Sequence, residues 1–181
     1  METASIDTGS EKKVIEVDAD FMKLALRPYK PHATYLKKAF IEIEPDKGTL
    51  GLAAHGEFSI PESCYIDDTG HFNAVEYNIC YNQLGYVFYA YCVQQQLIPE
   101  LSDYDMETFW KKQLPNWLIL RISSGFRRVL NAKKFYGTWG IKSVKKMKDI
   151  TYMNTYCSFK DDQKGESSGE VFAGILPATV N

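Results

Sequence analysis

The stretch from Asn73 to Gln96 constrains the fold of this 181-residue chain more than any other. It contains no proline and a single glycine, Gly85, so it can form one uninterrupted helix. At about 1.5 Å per residue, such a helix is roughly 35 Å long, which is enough to cross a small domain. Its apolar and aromatic residues fall on all sides of the helix rather than in one stripe. The sequence therefore predicts a long helix that is buried within the domain.

Polar residues at the start of this helix predict a cap and a candidate active site. Asn73 is suited to be the N-cap, and Glu76 lies three residues later, which is the spacing of a capping box. Asn78 and Asn82 are four residues apart and therefore share one face of the helix. The preceding turn, Thr69-Gly70-His71, could hold an anion or a developing oxyanion with its backbone N–H groups.

The rest of the chain predicts one α+β domain in which an antiparallel sheet of about six strands wraps around the long helix. Residues 1–13 are expected to form a disordered tail, and residues 14–181 to form the domain. The predicted elements are a helix at 14–26, a β-hairpin at 35–60, a helix at 104–114, and strands at 117–129, 135–144, 150–159 and 171–175.

Composition excludes several classes of function. The chain has 21 Lys+Arg and 23 Asp+Glu, and this net charge of −2 gives it no overall attraction to nucleic acid. No apolar run is long enough to span a membrane and no secretory signal is visible, so a cytoplasmic protein is expected. The four cysteines show no metal-ligand spacing, and no phosphate loop or nucleophile motif is present. We therefore expect no metal, no cofactor and no covalent catalysis.

Residues 108–148 contain eleven basic residues and no acidic one. These cations could be the solvated faces and protected edges of strands. Alternatively, they could form a docking surface for the phosphate of CoA or for an acidic acyl carrier protein. Arg121 and Arg127 flank a predicted turn at Ser123-Ser124-Gly125, and a guanidinium can bind a small carboxylate through two hydrogen bonds. A plain surface turn is the competing interpretation.

The run from Tyr65 to Tyr86 resembles the FcoT-type family of single hot-dog-domain enzymes that act on acyl thioesters. Its most specific parts are the octapeptide Thr69-Gly-His-Phe-Asn-Ala-Val-Glu76 and the tripeptide Asn82-Gln-Leu84. The resemblance implies a hot-dog fold, a homodimer or higher homo-oligomer, and an active site near the helix N-terminus beside the subunit interface. The family positions that this chain matches are Tyr29, Tyr65, His71, Asn73, Asn82 and Arg127.

The resemblance leaves two chemistries open. One is the hydrolysis of a long-chain fatty acyl-CoA thioester. The other is Michael-type addition of glycine to a 2-enoyl group on an acyl carrier protein, a step toward isonitrile lipopeptides. Glycine addition is favoured because hot-dog hydrolases usually depend on an Asp or Glu, whereas Glu76 is expected to be engaged in the helix cap. Asp67 and Asp68 lie in an exposed-looking loop, where a basic residue would fit the family better.

In the favoured hypothesis, Tyr65 and the N–H groups near Gly70 polarise the thioester carbonyl, and His71 deprotonates the glycine ammonium. The residues expected to bind the glycine carboxylate are Arg127 or Arg121, with Ser123 and Ser124. Those expected to position the acyl chain and the carbonyl are Tyr29, Asn73 and Asn82. The substrate is carried on the phosphopantetheine arm of an acyl carrier protein or CoA. A non-catalytic module that binds the acyl carrier is a third possibility.

Overall fold

The computed structural model describes residues 11–67 and 69–179, which form one antiparallel sheet around a long helix. The seven strands are β1 Lys13–Glu16, β2 Leu36–Ile43, β3 Leu52–Phe58, β4 Trp117–Arg128, β5 Phe135–Met147, β6 Ile150–Lys160 and β7 Glu166–Ile175. The helices are α1 Ala19–Ala25, α2 Ala74–Gln94 and α3 Met106–Lys112, with short 3-10 turns at Pro31–Ala33, Pro45–Gly51 and Pro99–Leu101. The strand order is β1-β2-β3-β5-β6-β7-β4. The predicted α+β hot-dog arrangement is thus confirmed.

The seventh strand, β1, comes from a segment that was predicted to be helical. Val14 pairs with Glu42 of β2, and the helix begins only at Ala19. Asp18 caps that helix by accepting hydrogen bonds from the N–H groups of Asp20 and Phe21, each at 3.0 Å. The first half of the predicted helix at 14–26 is therefore wrong, because β-branched residues favour a strand and the capping aspartate starts the helix later. Residues 1–10 of the predicted tail lie outside the described residues.

Helix α2 follows the inner face of β6 through three tyrosines of one stripe. The hydroxyl of Tyr77 donates to the Cys157 carbonyl at 2.8 Å, and that of Tyr81 hydrogen bonds with the Thr155 hydroxyl at 2.8 Å. The next residue along this line, Tyr89, donates to the Met153 sulfur at 3.6 Å. The helix therefore runs antiparallel to β6, and each buried phenol has the hydrogen-bond partner that burial requires.

The buried amide of Gln83 ties α2 to the start of β2. Its side-chain oxygen accepts hydrogen bonds from the N–H groups of Tyr35 and Leu36, both at 2.9 Å. Its amide nitrogen donates to the Ala33 carbonyl at 2.6 Å. A glutamine is therefore tolerated in the middle of a buried helix, because an unpartnered buried amide would cost about 1–3 kcal/mol.

Strand β4 is an edge strand, and it carries the residues that matter for the site. It pairs on one side with β7 and has no described neighbour on the other. Every residue after Trp117 is exposed, on both faces of the strand. Two register shifts interrupt its pairing, one between Ile119 and Arg121 and one between Phe126 and Arg128. No helix among the described residues is both long and apolar enough to cross a membrane.

Candidate active site

A cleft of about 580 Å³ lies at the N-terminus of α2, between the turn that precedes the helix and the end of β4. The residues that line it are His71, Phe72, Asn73, Ala74, Phe126, Arg127, Arg128 and Val129. Three residues predicted from the sequence, His71, Asn73 and Arg127, are thus brought together across about 55 residues of chain. Clefts with convergent polar groups are the usual position of a binding or catalytic site.

Asn73 organises the inner end of the cleft as the N-cap of α2. Its side-chain oxygen accepts from the N–H groups of Val75 at 3.0 Å and Glu76 at 3.2 Å, and from the Tyr65 hydroxyl at 2.8 Å. Tyr65 therefore contacts Asn73, and its hydroxyl proton is engaged in this hydrogen bond. The Asn73 amide nitrogen is buried and has no partner among the described residues. An orphaned donor of this kind in a cleft wall is suited to bind an oxygen of a ligand.

The predicted capping box is present, and it leaves fewer N–H groups for an oxyanion than the sequence indicated. The N–H of Asn73 donates to the Glu76 carboxylate at 3.1 Å, and the N–H of Phe72 donates to the Leu130 carbonyl at 3.1 Å. Among the residues that the structure describes, the N–H groups of His71 and Ala74 have no acceptor. These two N–H groups are backbone donors that the start of α2 can offer to a bound oxygen.

His71 is exposed in the cleft, and its surroundings select one tautomer. Its Nδ1 lies 2.9 Å from the Thr69 carbonyl oxygen. A carbonyl oxygen only accepts hydrogen bonds, so Nδ1 carries a proton and Nε2 of the neutral ring is an acceptor. Gly70, between these residues, has φ +74°, which favours glycine at this position. The turn thus presents a basic ring nitrogen beside the start of α2.

Among the described residues, no carboxylate lines the cleft. Glu76 is 3% exposed, and its carboxylate accepts the Asn73 N–H within the capping box. Asp67 is exposed in the loop before the turn and is not a lining residue. Within the described part of the chain, therefore, the ionisable groups that line the cleft are one imidazole and two guanidiniums.

Arg121 and Ser123 lie on the opposite face of the sheet from this cleft. They pair with Phe172 and Glu170 of β7 and line a separate outer cleft of about 480 Å³. The predicted turn at Ser123-Ser124-Gly125 is wrong, because these residues continue β4. Since strand residues alternate between faces, arginines on one strand need not share a site. Ser124 points to the inner side, opposite Gly169, but does not line the cleft.

Tyr29 and Asn82 lie farther along α2. The Tyr29 ring packs against Tyr86 at 6.3 Å between centroids, and Tyr86 is roughly 18 Å along the helix axis from Ala74. Tyr29 also borders an apolar pocket of about 350 Å³, and burial raises the pKa of its hydroxyl. Asn82 donates to the Asn78 side chain at 3.3 Å, as the shared face predicted. Neither residue lines the cleft at His71.

Sequence reasoning missed five lining residues, namely Phe72, Ala74, Phe126, Arg128 and Val129. The ring of Phe126 packs against Phe72 at 6.3 Å and forms the wall between the strand and the turn. The only sequence signal was the dipeptide Arg127-Arg128, and the register shift that brings both arginines to the cleft has no sequence signature.

The basic segment 108–148 is partly neutralised by acids from outside it. Lys111 pairs with Glu107, Lys134 with Asp162, Lys142 with Glu170 and Lys146 with Asp103. Exposed pairs of this kind contribute little to stability, but they reduce the positive field of the strand faces. The three arginines of β4 form no ion pair with any residue that the structure describes. Strand β4 therefore carries three cations that remain available to a ligand.

Metal ligands are not clustered in the described residues, where no group of three His, Cys, Asp or Glu side chains could hold an ion. The four cysteines are free thiols, and burial raises the pKa values of Cys80, Cys92 and Cys157. A buried thiol with a raised pKa is a poor nucleophile. The expectation that catalysis needs no cofactor stays a prediction.

Comparison with known proteins places this chain in a family. A relative from Streptomyces coeruleorubidus named (2E)-enoyl-[ACP] glycyltransferase is 39% identical over 158 residues, covering 84% of this chain and 93% of its own. A relative of the same name from Mycobacterium marinum is 33% identical, covering 96% and 92%. A solved putative thioesterase from Ralstonia eutropha has a TM-score of 0.47 and 7% identity, covering 76% and 84%. The family profile for the FcoT-like thioesterase domain matches residues 24–175, and this chain belongs to that family.

Proposed function

We propose that this protein adds glycine to the β-carbon of a 2-enoyl thioester carried on an acyl carrier protein. The names of its relatives from two bacterial genera support this assignment. The observation that carries it is the cleft itself, in which the basic Nε2 of His71 faces the same space as Arg127 and no described carboxylate lines the wall. An amino acid needs both a base for its ammonium and a cation for its carboxylate.

The proposed reaction balances without any further reactant. Arg127 binds the glycine carboxylate, and Nε2 of His71 takes one proton from the ammonium. The free amine then forms a C–N bond to the β-carbon, and the π electrons move onto the thioester oxygen as an enolate. The N–H groups of His71 and Ala74, with the Asn73 amide, donate to that oxygen. The proton on His71 returns to the α-carbon, and the product is a β-(carboxymethylamino)acyl thioester.

Tyr65 has a supporting role in this scheme. Its hydroxyl donates to Asn73, so it fixes the amide that would bind the thioester oxygen. Direct donation by Tyr65 to the thioester, as the sequence suggested, would require that hydrogen bond to break. Hydrolysis is the competing activity, because the His71 imidazole could equally activate water. A long-chain acyl-CoA thioesterase would nevertheless leave Arg127 without a carboxylate to bind.

Incubation with a 2-enoyl-acyl carrier protein, with and without glycine, tests the proposal. We expect a mass gain of one glycine on the carrier and no release of free thiol. Thiol release without a mass gain would make the protein a hydrolase, and neither change would make it a binding module. His71→Gln should lower the addition rate about 10²- to 10⁴-fold. The matched variant His32→Gln, which changes an exposed histidine of a 3-10 turn, should retain the rate of the unaltered protein.

The exposed edge of β4 supports a homodimer or higher homo-oligomer. Its large apolar side chains are solvent-exposed in the single chain, namely Leu118, Ile119, Leu120, Ile122 and Phe126. A twelve-residue strand with an unpaired edge is a template for pairing with another strand, and a second copy of the chain would satisfy it symmetrically. The cytoplasmic setting and a product destined for isonitrile lipopeptides stay predictions from the sequence and the family resemblance.

A further inference from the structure

The end of β4 departs from regular strand geometry where it borders the cleft. Phe126 pairs with Ser167 of β7 and Arg128 pairs with Glu166, so Arg127 is an extra residue within the ladder. In a regular strand, two consecutive arginines would point to opposite faces. The bulge instead lets both Arg127 and Arg128 line one cleft, and bulges are enriched beside active sites for this kind of redirection.

The register of β4 differs at the two arginines. Ser167, the partner of Phe126, is fully buried on the inner face, so Glu166 and Arg128 belong to the outer face. Arg128 therefore approaches the cleft from its outer rim. Arg127 directly follows Phe126, whose ring forms the inner wall against Phe72.

The cleft concentrates positive charge, which favours the binding of anions. The N-terminus of a 21-residue helix carries a partial positive charge, and two guanidiniums face it across the cleft. The nearest acid in the ladder, Glu166, pairs with Lys160 at 3.8 Å instead. Neither arginine has an acidic partner among the described residues. The glycine carboxylate of the proposed function accounts for one cation and leaves the other unmatched.

We propose that Arg128 binds the phosphate of the phosphopantetheine arm and so distinguishes carrier-bound thioesters from thioesters without a phosphate. This inference rests on the proposed function, in which Arg127 binds the glycine carboxylate at the inner wall. The phosphate enters at the outer rim, and the thioester at the other end of the arm reaches the turn at His71. An arginine is suited to this task because its planar fork forms two hydrogen bonds to phosphate oxygens.

Two thioesters of one 2-enoyl chain, on pantetheine and on 4′-phosphopantetheine, isolate the phosphate. We expect the unaltered protein to use the phosphorylated compound with a kcat/KM about tenfold higher, the size of a charge-assisted hydrogen bond at a partly exposed site. Arg128→Gln should abolish this preference by lowering kcat/KM for the phosphorylated compound to about that for the pantetheine thioester, and it should change the KM for glycine less than Arg127→Gln does. Arg128→Lys should restore part of it, because a lysine retains the charge without the fork.

Arg127→Gln provides the complementary result. It should raise the KM for glycine and preserve the preference for the phosphorylated thioester. Lys38→Gln, which changes an exposed lysine of β2 outside the cleft, should alter neither quantity. One variant would then affect mainly the preference for phosphate and the other mainly the KM for glycine. A general loss of positive charge or of structure cannot produce this difference between two adjacent arginines.

Three results would overturn the inference. If Arg128→Gln keeps the preference for phosphate, another group binds it. If the variant instead raises the KM for glycine as much as Arg127→Gln does, the two arginines act together on the carboxylate. If it slows only the reaction of the intact carrier protein, Arg128 contacts the carrier surface rather than its arm. Absence of glycine addition by the unaltered protein would contradict the proposed function itself, and binding of the two thioesters would still reveal whether Arg128 recognises phosphate.

Discussion

Strands β4 and β6 pair with opposite sides of the same strand, β7. The inner face of β6 is buried, whereas that of β4 is exposed. On β6, Met153 and Phe159 are fully buried beneath α2. On β4, Ile122 and Phe126 face the same side of the sheet but are 39% and 43% exposed. The tyrosines of α2 form hydrogen bonds to β6, so the helix lies over β6 and leaves the edge strand β4 uncovered.

This difference separates the part of the sheet that holds the fold together from the part that is available for function. The inner side chains of β6 pack against α2, whereas those of β4 lie beyond the edge of the helix. The cleft lies between this exposed part of β4 and the start of α2. Apolar side chains left exposed in this way usually mark an interaction site. A substrate, a second copy of the chain, or both would cover them.

The largest expected effect is the loss of a buried ring on β6. Phe159 contacts the rings of Phe58, Phe72, Tyr77 and Phe135, so Phe159→Ala should lower the free energy of unfolding by about 3–5 kcal/mol. Urea denaturation followed by circular dichroism measures this change.

The matched variant on β4 is Phe126→Ala, which removes the same ring from the same face of the sheet. Because Phe126 is partly exposed, its loss should cost only about 1 kcal/mol. Among the molecules that remain folded, Phe126→Ala should lower activity more than Phe159→Ala does, since Phe126 lines the cleft. Equal destabilisation by the two variants would show that the inner face of β4 belongs to the core.

Asp161, directly after β6, secures the end of β4. Its carboxylate accepts hydrogen bonds from the N–H groups of Asn131 at 2.7 Å, Gln163 at 2.8 Å and Gly165 at 2.7 Å. Burial disfavours the charged form, but these N–H groups outweigh it and lower the pKa of Asp161 below its ordinary value. Asp161→Asn should therefore cost about 1 kcal/mol of unfolding free energy at neutral pH.

The pH dependence of this effect follows from the direction of the pKa shift. A carboxyl whose pKa is lowered by folding stabilises the protein fully above its unfolded pKa of about 3.9. That contribution disappears as the pH falls through the lower, folded pKa. The difference between the unaltered protein and Asp161→Asn should thus be constant from about pH 8 to 5 and shrink below about pH 4. A difference that grows in acid would contradict the proposed hydrogen bonding.

The sequence was sufficient for features that depend on local rules. The continuous apolar run predicted the buried helix α2, and the spacing of Asn73 and Glu76 predicted its capping box. The arrangement of one antiparallel sheet around that helix also followed from the order of elements. Even the shared face of Asn78 and Asn82 was correct, because helical spacing determines it.

Features that depend on strand register could not be predicted. The sequence put Arg121 and Ser123 beside Arg127, but alternation along β4 sends the first two to the outer face. The bulge that redirects Arg128 arises from the pairing of β4 with β7, more than 35 residues away. The strand at Val14 was missed for a similar reason, since its pairing with β2 outweighs the helical spacing of its apolar residues.

Ile122→Thr on β4 is expected to have the smallest effect on the stability of a single chain. It is also the sharpest test of what covers this strand. Threonine keeps the β-branched shape that suits a strand, so unfolding of the separated chains should change by less than about 0.5 kcal/mol. In a symmetric dimer the substitution occurs twice, and sedimentation equilibrium should show dissociation about 10- to 30-fold easier. Val14→Thr on the other edge strand should leave dissociation unchanged. If Val14→Thr alone weakens association, the copies meet along β1. If the unaltered chain is monomeric at all concentrations, the substrate alone covers β4.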